Sequence, residues 1–293
     1  PIRFTLETSM ALNVVEIWRD LHKTPELGFE ENKTSAYLAE ALEKLGFAVT
    51  RGVGKTGVMG VIRGAEPGPV LMLRADMDAL PFRNDDGSIE AVHACGHDSH
   101  CAMVLAAASE LAGRVRRGTL KILFQPAEEG VRGAAGMAAS GILDDADYFL
   151  GAHIAMMCKS GEVSVNPYGF LCTTKLDVTY TGRPAHAGVE PNAGHNAMAA
   201  ACNAFVQLLG IARHGSGMTR INVGQLVAGE GRNVIPSHAV MKMEVRGETG
   251  EINQYMYDSA VNIIKGCALS QNCEYTIEKM GEAVDLTNDP ELV

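Results

Sequence analysis

The chain has 293 residues, with 25 Lys plus Arg against 35 Asp plus Glu and a formal net charge of −10 at pH 7. That balance excludes a general binder of nucleic acids or anionic membranes, which needs basic patches. With 46% hydrophobic and 20% charged residues the composition also excludes a disordered chain, and the length suits two domains of roughly 150 residues each.

A first helix is expected over residues 12–22, broken by Thr24-Pro25-Glu26. A second, over 32–45, carries Tyr37, Leu38, Ala41, Leu42 and Leu45 on one stripe and stops at Gly46. Short apolar strands follow at 58–62, 70–73, 120–124 and 148–153, with helices at 102–112 and 133–140 between the later ones. This is an α/β pattern with a largely buried sheet. Beyond about residue 163 the pattern changes. A strand at 175–180 leads through a Gly/Pro/Asn-rich loop (182–194) to an Ala-rich helix (196–211), two strands (220–227 and 239–245), a helix (251–269) and a last strand (274–279). The order β-α-β-β-α-β is that of a small ferredoxin-like domain.

The seven cysteines, at 95, 101, 158, 172, 202, 267 and 273, are odd in number and unpaired in spacing, so a disulfide framework is not expected and a reducing cytoplasm is. The opening PIRFTLETSM has no basic start followed by an apolar core, so no signal peptide is read there. The longest apolar stretch, 102–108, is far short of the ~20 residues that span a bilayer, so no membrane partner is expected.

The residues with chemistry fall where strands end. Asp76 and Asp78 follow the 70–73 strand, Glu128 and Glu129 follow 120–124 through Gln125-Pro126, and His153 closes its own strand. Cys95 and His97 open the helix after them. Open α/β sheets collect ligands at the carboxyl ends of their strands. Any one of these features alone is an ordinary surface or core residue; together they form the donor set of a hydrolytic zinc or manganese site. Cys95 and His97, two apart on a loop, can face one region, and a thiolate can bridge two ions. Of Glu128 and Glu129, one can coordinate while the other acts as general base for a metal-activated water attacking an amide carbonyl. Asp76 or Asp98 can orient a ligand imidazole. His93 and His100 read as neighbours rather than ligands, and His22, His195, His214 and His238 as structural or exposed.

The stretches LRADMDALP (73–81), HACGHDSH (93–100), FQPAEEG (124–130) and GAHI (151–154), with GRPAHAG (182–188), GRNVIP (231–236) and MEVRGE (243–248), resemble the binuclear metallo-amidohydrolases. That family holds hippurate hydrolase, N-acyl-amino-acid deacylases and auxin-conjugate hydrolases, and is related to aminoacylase and glutamate carboxypeptidase. DDADYFLGAHI, INVGQLVAGEGRNVIP and INQYMYDSA are most similar to its branch acting on p-aminobenzoyl-glutamate. The resemblance implies a central mixed-sheet catalytic domain flanked by helices (1–168), an inserted lid and dimerisation domain (169–281), and a return to the catalytic domain from 282 whose remainder is expected to be missing.

It further implies two divalent ions, Zn or Mn. Cys95 would bridge them, His97 and His153 would hold one and Glu129 the other. Glu128 would be the general base and Asp76 would orient from behind the ligands. His186 would reach an active site across a dimer interface and polarise the scissile carbonyl, while Asn233 and Arg246 would hold the carboxylate of an N-acyl or N-aroyl amino acid, the expected small-molecule partner. The planar fork of Arg suits the last role. The family's final ligand, a His near the C-terminus, is not present by Val293; four of five protein ligands are expected here, with the Glu129 ion the weaker. A homodimer, or a heterodimer with a homologous chain, is expected. The alternatives are a non-catalytic, partner-dependent homologue that binds metal or ligand, and a hydrolase using Cys95 as nucleophile with His97.

Overall fold

The computed structural model describes residues 12–154 and 158–293. The stretch read for a signal peptide lies outside the described residues. The chain divides into two compact units, Pro1–Ser160 and Gly161–Val293. No helix among the described residues is long and apolar enough to cross a membrane.

The first unit contains helices α1 (Val14–His22), α2 (Asn32–Lys44), α3 (His97–Leu111) and α4 (Gly133–Ala139). Its strands are β1 (Ala48–Val53), β2 (Gly57–Arg63), β3 (Glu66–Asp76), β4 (Leu80–Arg83), β5 (Ile89–Val92), β6 (Arg117–Gln125) and β7 (Tyr148–Gly151). β4 and β5 form a separate hairpin; the other five make one mixed sheet in the order β1-β2-β6-β3-β7. β1, β2 and β6 pair antiparallel, whereas β3 runs parallel to both β6 and β7.

The two-residue period of β6 divides its side chains between two layers. Leu120, Ile122 and Phe124 pack with Leu21, Leu38, Leu42, Leu105 and Ala108 of α1–α3, while Leu123 joins Met72 and Met137 on the α4 side. Burial of each of the Leu, Ile, Phe and Met side chains contributes about 1.5–3 kcal/mol. The parallel register Asp76↔Gln125 brings the ends of β3 and β6 level, with β7 ending beside them.

Several bounds differ from the sequence reading. β3 extends beyond 70–73 at both ends, so Asp76 is its last residue. α3 begins at His97 rather than 102, because its first turn is polar and carries site residues instead of an apolar stripe. β7 stops at Gly151, and His153 lies two residues past the strand rather than closing it. β1 and the β4–β5 hairpin are additional elements; their strands are largely exposed, so no buried apolar run marks them.

The second unit contains β8 (Cys172–Thr181), α5 (Ala197–Leu209), β9 (Thr219–Ala228), β10 (His238–Gly247), α6 (Gly250–Ser270) and β11 (Glu274–Ala283). Its antiparallel sheet has the order β11-β8-β10-β9. Leu176, Val178, Tyr180, Met241 and Val245 pack with Ala200, Ala201, Ala204, Met256, Ala260 and Ile264 of the two helices. Asn196 caps α5 and Thr249 caps α6 through side-chain oxygens that accept backbone N–H groups.

Candidate metal centre

The carboxyl ends of β3, β6 and β7, with the start of α3, bring the first unit's candidate residues together. Donor atoms of Cys95, His97 and Glu129 lie within 4.8 Å of one another, and so do those of Asp76, His97, His100 and His153. Cys95 Sγ is 3.7 Å from His153 Nε2. The rings of His97 and His153 meet edge to face at 5.6 Å between centroids. Between Cys95 and His97, Gly96 has φ +85°, and a Cβ there would lie 2.1 Å from Ile154 Cδ1. The left-handed backbone and the close approach both require glycine.

Glu128 and Glu129 sit on a strained turn. Ala127 has φ +45° and Val131 φ +56°, conformations costing on the order of 1–3 kcal/mol each for non-glycine residues. Two buried carboxylates fix it. Asp78 accepts from Glu128 N (2.9 Å) and Glu129 N (3.0 Å), one per oxygen. Glu31, fully buried, accepts from Ala127 N (2.8 Å) and Thr56 Oγ1 (2.5 Å). Glu31 is the N-cap residue of α2 but does not cap it; Glu26 does, accepting from Lys33 N and Thr34 N. The sequence alone points to no role for Glu31 or Asp78 in this turn. Asp78 is signalled only by alternating with Asp76 at a strand end, and Glu31 stands 96 residues from the amide it holds.

Asp76, fully buried, accepts from His100 Nδ1 (2.5 Å) and Arg74 Nη1 (2.8 Å). Arg74 also donates twice to Gln125 Oε1. Burial would raise the Asp76 pKa, but the bond from His100 and the charge of Arg74 outweigh it and hold the carboxyl well below its usual range. The carboxylate beside His97 Nδ1 is Asp78, at 3.3 Å, whereas Asp76 Oδ2 and Glu128 Oε2 are each 3.8 Å from His97 Nε2. Asp98 bonds His22 Nδ1 at 2.6 Å.

His97 is wholly buried, and neither ring nitrogen has a well-formed hydrogen bond. Burial would depress its pKa, but Asp78, Asp76 and Glu128 raise it to about 9. Burial and the carboxylates of Glu129, Glu128 and Asp76 push the Cys95 thiol up to about 11. Glu128 is also raised, by burial, Asp76 and Glu129 against the opposing charge of His97. A buried imidazole without a well-formed hydrogen bond, a thiol and several converging carboxylates fit a divalent cation, which would satisfy the ring nitrogen and offset the negative charge.

The other three candidates lie in the second unit. His186 is exposed, and its Nδ1 accepts from Gly188 N at 3.1 Å, so in the neutral ring the proton sits on Nε2. Its segment pairs with that of Asn233, through Ala187 N to Asn233 O and Ile235 N to Ala185 O. Arg246 donates from Nε and Nη2 to the two oxygens of Glu244, so its fork already holds a carboxylate.

The profile of peptidase family M20/M25/M40 matches residues 72–293. A homolog of one subunit of p-aminobenzoyl-glutamate hydrolase, from Haemophilus influenzae, is 42% identical, the match covering 97% of this chain and 80% of that protein. The aminobenzoyl-glutamate utilization protein of Klebsiella pneumoniae superposes with a TM-score of 0.84 at 33% identity, over 95% of this chain and 77% of that one. A dinuclear metal-binding peptidase of the M20 family from Bacillus subtilis superposes with a TM-score of 0.68 at 27% identity, over 94% and 75%. The chain belongs to the peptidase family M20/M25/M40.

Proposed function

We propose that the protein is a metal-dependent amidohydrolase that cleaves the amide bond of an N-acyl or N-aroyl amino acid of the aminobenzoyl-glutamate or hippurate type. The observation that carries this is Glu128, a carboxylate of raised pKa next to the convergent donors Cys95, His97 and Glu129. Cys95, His97, His153 and Glu129 would hold two divalent ions, Zn or Mn, with Cys95 shared between them, His97 and His153 on one and Glu129 on the other. When bound, the ions supply Lewis acidity and lower the pKa of a water molecule. Glu128 would serve as the general base, accepting a proton from the attacking water and passing it to the leaving nitrogen, a role its raised pKa favours. Asp76 and Asp78 hold the surrounding groups in place.

The second unit serves as a ferredoxin-like lid and dimerisation domain, a reading supported by its β-α-β-β-α-β order and its sheet order. By this reading the catalytic domain is 1–168, the lid 169–281, and the chain returns from 282. His186, with Nε2–H as donor, polarises the scissile carbonyl from a second copy. Asn233 and Arg246 receive the amino-acid carboxylate, which replaces Glu244 in the arginine fork like for like. The chain pairs with itself or with a homologous chain, a reading supported by the Haemophilus relative, whose name is that of one subunit of a hydrolase. It works in the cytoplasm.

A panel of p-aminobenzoyl-glutamate, hippurate, short N-acyl and indole-acyl amino acids tests the reaction. Cleavage of at least one, abolished by a chelator and restored by Zn²⁺ or Mn²⁺, is expected. A metal-loaded protein that cleaves none favours a non-catalytic homologue, and activity without metal favours Cys95 as nucleophile.

Metal uptake has its own signature. At pH 7 His97 and Cys95 are protonated, with pKa values of about 9 and about 11, and both give up a proton to coordinate. Between about pH 7 and 9 these two ligands release two protons, and affinity rises about 100-fold per pH unit; between 9 and 11 they release one, and the rise falls to about tenfold. Calorimetric titration of Zn²⁺ in buffers of different ionisation enthalpy counts these protons, and a count of zero at pH 7 contradicts the ligand assignment.

A further inference from the structure

His100 belongs to one of the two donor clusters, yet neither of its nitrogens is available to an ion. Its Nε2 is 2.9 Å from Ile154 N, and a backbone amide can only donate, so Nε2 is the acceptor. Nδ1 therefore carries the proton and donates to Asp76 Oδ1 at 2.5 Å. The ring is 1% exposed, and its Asp76 partner is fixed in turn by Arg74, itself tied to Gln125.

Ile154 links this ring to a second one. Its carbonyl, which can only accept, lies 2.6 Å from His153 Nδ1. The His153 proton is thus on Nδ1, leaving the Nε2 lone pair facing Cys95 Sγ at 3.7 Å. The Ile154 side chain lies over Gly96, where a Cβ would meet it at 2.1 Å. One residue therefore receives His100, sets His153 and packs on the loop between Cys95 and His97.

We infer that His100 is a positioning residue: backed by Asp76 and Arg74, it anchors the peptide at Ile154 and so holds His153 in the tautomer and orientation of a metal ligand through Nε2. This rests on the proposed metal centre for the ligand role of His153, but the tautomer is a property of the metal-free protein. Outer partners that fix a ligand histidine in this way raise metal affinity by about 10–100-fold.

The test uses ¹⁵N-histidine NMR of the metal-free protein together with Zn²⁺ titration, for wild type, His100→Phe and His100→Gln. Phe removes both bonds, whereas the Gln side-chain oxygen can still accept from Ile154 N. In the wild type His153 is expected as a single tautomer protonated on Nδ1. In H100F it becomes a mixture and Zn²⁺ binds about 10–100-fold more weakly, while H100Q keeps most of both properties. A mixed His153 tautomer in the wild type, or wild-type tautomer and affinity in H100F, overturns the inference. Equal loss of Zn²⁺ in H100Q and H100F also overturns it and makes His100 a ligand. The two readings fail separately, since a wild type that binds no Zn²⁺ removes the metal centre while the tautomer measurement stands on its own. Should H100F not fold, H100Q and the wild-type spectrum still decide the matter.

Discussion

Exchange of Glu128 for Gln is expected to leave the metal content of the protein unchanged and to lower turnover by about 10²–10⁴-fold, the usual contribution of a positioned general base. Gln keeps the size of Glu and the backbone N–H that Asp78 holds, so the turn survives. What it loses is the ability to take a proton. The donors Cys95, His97 and Glu129 are untouched, which separates this variant from one that empties the site. The wild-type carboxylate is held above its ordinary pKa by burial and by Asp76 and Glu129, so it is more basic than a solvated Glu. Metal analysis beside steady-state kinetics on the best substrate of the panel gives the answer. Turnover near wild type would move the base elsewhere; loss of metal would make Glu128 a ligand.

Asp78→Ala is expected to cost about 2–4 kcal/mol of stability and to weaken metal binding by at least about tenfold. Its carboxylate, 1% exposed, accepts from two consecutive amides and lies 3.3 Å from His97 Nδ1. Removing it leaves the amides of Glu128 and Glu129 without their acceptor on a turn already bearing positive φ at Ala127 and Val131. Asp78→Asn should fall between, because its oxygen can serve one amide while its NH₂ faces the other. Urea unfolding and Zn²⁺ titration of both variants measure the two effects. A D78A protein with wild-type midpoint and affinity would show that the turn holds itself.

The convergence of the candidate residues was legible in the chain itself. Cys95, His97, Glu128, Glu129 and His153 stand at strand ends or beside the helix that follows, because apolar runs such as 120–124 must be buried and the chain emerges from the sheet directly after them. The alternation of β and α elements, and the later β-α-β-β-α-β order, follow from the same local periodicities. Glu31 and His100 were not legible in these roles. A hydrogen bond between residues 96 apart, like the one from Ala127 N to Glu31, has no local signature. Nor does a histidine's tautomer, which is set by whether its neighbour donates or accepts, as at Ile154. The sequence by itself determined which atoms are able to bind a cation. The tertiary structure decided which of them remain free to do so, because the parallel register of β3, β6 and β7 brings distant groups into contact and each buried polar atom must then find a partner among them.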